Sequence, residues 1–116
     1  MLLRCLAVIS LVTVASAAAP RTPNIAADYT SNWGDVQLEQ HGTRVHGTYV
    51  CCGSGTIEGR IIEGRIIRYH WETSGGSGGG EGVWKILPSG RLEGTWGAGQ
   101  SESDGGEWNL DRKPVN

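Results

Sequence analysis

Two adjacent cysteines, three histidines and a group of tryptophans and tyrosines are the residues of this chain with chemistry to offer. The Cα atoms of Cys51 and Cys52 lie about 3.8 Å apart across a trans peptide, short of the usual disulfide separation. Three readings stay open for them: a vicinal disulfide that stiffens a turn, a crosslink from each to another chain, or plain thiols with Cys51 buried. His41, His46 and His70 show no ligand spacing and no Cys-x-x-Cys accompanies them, so no metal site is expected. Asp35, Glu39, Glu58, Glu72 and Glu93 alternate with core residues, as outward solubilising groups do. A nucleophilic triad lacks its sharp-turn Gly-x-Ser-x-Gly. These absences predict a protein that is not an enzyme and needs no cofactor.

The aromatic residues carry more information. Five tryptophans, three tyrosines and no phenylalanine leave Trp and Tyr as the only large aromatics. They stack well on sugars and apolar ligands, and they are also the natural fillers of a small core. Which duty each performs depends on the elements that carry it.

Those elements are strands. An apolar–x–Gly–x–apolar pattern recurs at Val45–Tyr49, Ile57–Ile61 and Leu92–Trp96. A spacing of two places the apolar pair on one face of a strand, and the glycine between them leaves room for bulky neighbours. Val36 and Leu38 alternate with polar residues in a first half-buried strand, and His41–Gly42 turns the chain. The next strand sets Val45, Gly47, Tyr49 and Cys51 on one face. Ile57–Ile62 (IEGRII) is repeated at once as Ile62–Ile67. An odd period flips the faces of a strand, so a tight turn is expected at Glu63–Gly64. Beyond it Ile67, Tyr69 and Trp71 point inward. Thr73 to Gly82 reads as a flexible glycine-rich loop. Trp84 and Ile86, then Leu92, Gly94 and Trp96, then Trp108 and Leu110 mark the later strands, separated by a turn at 88–90 and a polar loop over 97–106. Trp33, whose parity opposes Val36 and Leu38, is expected at a rim or surface.

Turns at this spacing define an all-β fold. We expect a small antiparallel up-and-down meander of seven or eight strands closing into a β-barrel, because closure removes exposed edges. The inward Tyr49, Tyr69, Trp71, Trp84, Trp96 and Trp108 would crowd its interior. A barrel of about eight strands either fills with side chains or holds one small ligand.

Met1 to Ala17 reads as a secretory signal peptide: an early Arg4, an apolar run from Cys5 to Val14, and small residues at Ala15-Ser16-Ala17. That run is too short for a membrane anchor of roughly 20 apolar residues, so no membrane insertion is expected after cleavage. The parts are then a signal peptide over 1–17, a flexible leader over 18–27, a barrel domain over 28–113 and a tail over 114–116. The expected location is secreted or periplasmic. Loss of Arg4 makes the formal charge of −2 more negative by one, a balance that argues against nucleic acid as a partner. A domain this small would gain from a crosslink or an oligomer.

The order Gly47-Thr48-Tyr49, Tyr69-His70-Trp71, Trp84, Gly94-Thr95-Trp96 and Trp108 with Asp111 resembles the avidin family of secreted eight-stranded biotin-binding barrels, within the broader calycin type. It is also similar to a type of small bacterial secreted domain with a Trp-Gly…Gly-x-Tyr…Gly-x-Trp rhythm and no settled activity. The avidin resemblance implies that Tyr49 donates to a ligand oxygen, that Trp71, Trp84 and Trp96 form aromatic walls, and that Asp111 accepts from a ligand nitrogen. The chain departs from that family in having Cys51 two residues past the tyrosine and an asparagine before Trp33 rather than after it.

The reading that follows is a non-enzymatic secreted binding module, with a small-molecule or glycan ligand stacked on Tyr49 and tryptophans at one barrel end. Two rivals accompany it. One is a protein-binding module or enzyme inhibitor acting through the loops of an occluded barrel. The other is a structural domain that crosslinks through Cys51 or Cys52.

Overall fold

The structure, a computed structural model, describes residues 22–115. The signal peptide read over 1–17 and the first part of the leader lie outside the described residues. The rest is all-β: eight strands, β1 (Ala27–Ser31), β2 (Val36–His41), β3 (Arg44–Tyr49), β4 (Gly55–Ile62), β5 (Ile66–Thr73), β6 (Gly79–Ile86), β7 (Leu92–Ala98) and β8 (Gly106–Arg112). Each pairs antiparallel with the next, and β8 returns to β1 through Tyr29↔Arg112 and Ser31↔Leu110, so the meander closes into a barrel.

Alternation sets the two surfaces. In β3, Val45, Gly47 and Tyr49 are buried while Arg44, His46 and Thr48 are exposed, and β4 and β5 repeat the pattern. Val45, Ile57, Ile67, Trp84, Leu92 and Leu110 are among the side chains that fill the interior, each at most 1% exposed. The expected reversal between the two IEGRII copies takes the form of a hairpin turn. Arg65 N–H donates to the Ile62 carbonyl at 3.0 Å, and the central residues Glu63 and Gly64 both have positive φ, 55° and 65°. That combination defines a turn whose twist matches a hairpin.

Glycines on inward positions make room for tyrosines across the ladder. Gly55 pairs with Tyr49 and Gly82 with Tyr69. A Cβ would fall 2.2 Å from the Tyr49 ring at Gly55 and 2.1 Å from the Tyr69 ring at Gly82. Here lies a correction to the sequence reading, which placed Thr73–Gly82 in one flexible loop: β6 begins at Gly79, and only 74–78 connect the strands. At Gly80 a Cβ would lie 1.8 Å from the Gly97 carbonyl oxygen. These glycines permit close packing rather than motion.

A meander sends alternate connections to opposite ends. The β2–β3, β4–β5 and β6–β7 turns share one end with the segment that enters β1. That end is stoppered: Ile25, 1% exposed, seats in it. Its N–H donates to Gln40 Oε1 at 2.7 Å, and its carbonyl accepts from the Tyr29 hydroxyl at 2.6 Å. Gln40 Nε2 also donates to the Pro23 carbonyl at 2.9 Å. The packed body therefore takes in residues before Asp28, and the expected leader is shortened accordingly. The other end carries the β1–β2, β3–β4, β5–β6 and β7–β8 loops.

Candidate functional site

At the second end the barrel is open. A cavity of about 220 Å³ is walled by Trp33, Tyr49, Trp71, Trp96 and Trp108. Register places them there: Tyr49 ends β3, Trp71 lies near the end of β5, and Trp96 and Trp108 face the same space from β7 and β8. Trp33 arrives from the β1–β2 loop, anchored by its indole N–H to the Glu107 carbonyl at 2.8 Å, and is 38% exposed. Its rim position agrees with its parity.

The rings meet edge to face. Trp96 stands nearly perpendicular to Trp33 (5.5 Å between centroids, 85°) and to Trp71 (5.5 Å, 84°), and Tyr49 to Trp108 (5.6 Å, 87°). The outer side of Trp96 is backed by Gly105, where a Cβ would come within 2.5 Å of the indole. The Cys51–Cys52 pair and Thr73 complete the lining. In this structure the two cysteines are joined to each other, in a loop that bonds to both of its neighbours. Val50 N–H donates to the Asp35 carbonyl at 3.1 Å, and Ser74 N–H to the Ser54 carbonyl at 2.8 Å.

Hydrogen-bond bookkeeping separates committed polar groups from free ones. Trp71 donates to the Gly97 carbonyl at 2.9 Å and Trp108 to Ser31 Oγ at 3.1 Å. The Tyr49 hydroxyl and the Trp96 indole N–H are buried without a partner. An unmade bond at a buried polar group costs about 1–3 kcal/mol, and the indole N–H of Trp84, in the packed core, goes unpartnered in the same way. Burial raises the Tyr49 hydroxyl above the ordinary phenol range, which keeps it protonated and able to donate. No charged side chain lines the cavity.

The sequence-derived residues divide three ways. Tyr49, Trp71 and Trp96 come together at the cavity, with Cys51 and Cys52 beside them. Trp84 does not reach it. Fully buried, it stacks on Tyr69 at 3.9 Å and abuts Trp108 at 5.2 Å from below, so it supports the floor. Asp111 lies on the outer surface, held by Arg91 through two bonds of 2.8 Å. Trp108 and Leu110 point inward, and parity turns Asp111 away, so the acceptor role implied by the avidin resemblance has no place at this cavity. Trp33, Thr73 and Trp108 were not named as site residues from sequence. Trp108 had the inward parity to be one.

No group of three or more His, Cys, Asp or Glu with metal-holding geometry occurs among the described residues. Comparison of the chain with known protein families, with curated proteins and with solved structures gives no match.

Proposed function

We propose that this chain is a secreted, non-enzymatic binding module whose open barrel end takes a small molecule, or one ring of a glycan, against Tyr49, Trp71, Trp96 and Trp33. The observation that carries the reading is the open cavity of about 220 Å³ walled by five aromatic side chains and by no charged one. A core built only for stability would have filled that space, because interiors pack to crystal-like density. Secretion rests on the signal pattern at Met1–Ala17.

The test is intrinsic tryptophan fluorescence of the purified domain, titrated with biotin, lipids, oligosaccharides and small cationic and neutral organics. A saturable shift that Trp96→Ala abolishes and Asp111→Asn leaves intact supports the reading. Silence across the panel moves the function to the loops and to a protein partner.

A further inference from the structure

We infer that the aromatic mouth recognises a fully methylated ammonium group, the head of a choline-like or betaine-like molecule. The inference rests on the proposed ligand-binding reading and narrows its ligand to one chemical class.

Shape comes first. Whole-ligand pockets run to roughly 300–1,000 Å³, and about 220 Å³ suits one compact group with the remainder of the molecule outside. The walls form corners rather than a single flat face, since Trp96 meets both Trp33 and Trp71 at nearly right angles. Rings set at right angles around one space touch a compact, rounded group on several sides at once. Each ring face carries the negative part of the aromatic quadrupole, so the group best held there is a cation.

Hydrogen-bond capacity then selects among cations. A primary ammonium brings three N–H donors, and a guanidinium five, all needing acceptors. The cavity wall supplies no carboxylate, and the Tyr49 hydroxyl and the Trp96 indole N–H are buried out of its reach. A primary amine entering it would lose its water without replacement. A trimethylated nitrogen has no N–H to satisfy and presents methyl groups to the rings. An anion finds no cation in the lining and meets negative ring faces.

The surrounding charge points the same way. The four loops at the mouth, 32–35, 50–54, 74–78 and 99–105, contain no Lys, Arg or His. Asp35 is neutralised by Lys113 and Glu102 by Arg68. Asp104 accepts only a backbone N–H, from Ala98. Glu72 and Glu107, each next in sequence to a residue lining the cavity, make no ion pair among the described residues. At the opposite end Arg44, Arg65 and Arg112 lie at or beside the turns and terminal segments, while Arg91 there is paired with Glu93 and Asp111. Such a field draws cations toward the mouth, over a range set by the Debye length.

The experiment compares choline with its neutral carbon isostere, in which tert-butyl replaces trimethylammonium, and with ethanolamine. Tryptophan fluorescence and titration calorimetry on the purified chain give the affinities. Choline is expected to bind at least about tenfold more tightly than the isostere, the scale of a desolvated cation–π contact, and ethanolamine to give no saturable signal. Substituting fluorinated tryptophan throughout, which withdraws electron density from the ring faces, should weaken choline and spare the isostere. If the isostere equals or exceeds choline, or if fluorination weakens both alike, the methylammonium inference fails while ligand binding stands. If neither these probes nor the wider panel binds, the underlying reading fails with it.

Discussion

The two ends of the barrel are built from the same alternating strands and finished in opposite ways. At the stoppered end Ile25 fills the opening, and its own backbone polar groups are taken up by Gln40 and Tyr29. At the mouth five aromatic rings wall a cavity of about 220 Å³ that opens to solvent. Apolar surface is buried and the backbone polar groups are bonded at the first end; at the second, apolar ring surface stays open to solvent. Stability therefore belongs to the packed lower barrel, and the upper rim is the place of the proposed ligand.

That division can be broken by mutation. The largest effect is expected just beneath the cavity: Trp84→Ala, which removes a fully buried ring, should cost about 3–5 kcal/mol in denaturant unfolding. Next, Ile25→Ala at the stopper should cost about 2–4 kcal/mol; a change within experimental error would mean that the entering segment does not seal the barrel. Gly82→Ala drives a methyl group toward the Tyr69 ring and should lower stability by roughly 1–3 kcal/mol, with a concurrent Tyr69→Leu recovering part of the loss. At the rim, Trp33→Ala gives up one bond to the Glu107 carbonyl and an edge contact with Trp96 and should cost about 1 kcal/mol, while weakening the proposed ligand. Smallest of all, Asp111→Asn loosens an exposed pair with Arg91 and should leave both the melting temperature and the fluorescence titration nearly unchanged.

Much of the barrel was legible because a period of two is a strong signal wherever one face is buried and the other wet. β2 to β5 show it residue by residue. β1 was harder to see, since a five-residue strand with one fully buried side chain, Tyr29, has no run to display. Gly79–Gly82 misled for a physical reason: glycine marks flexibility in a polar loop and close approach in a strand, and only the tyrosine across the ladder distinguishes them. In the site, parity told which rings face inward but said nothing of height along the barrel axis. Register decides that height, and it put Trp84 in the floor while lifting Trp96 to the mouth. Asp111 came from resemblance alone, and its parity with Trp108 and Leu110 already turned it outward.

An even number of strands brings the chain back to the end from which it set out. Both the segment leading into β1 and the one leaving β8 therefore emerge beside the stopper, with the open rings at the far pole. A tether, fusion partner or solid support attached through either segment would present the mouth outward to the medium, with the barrel itself as the spacer.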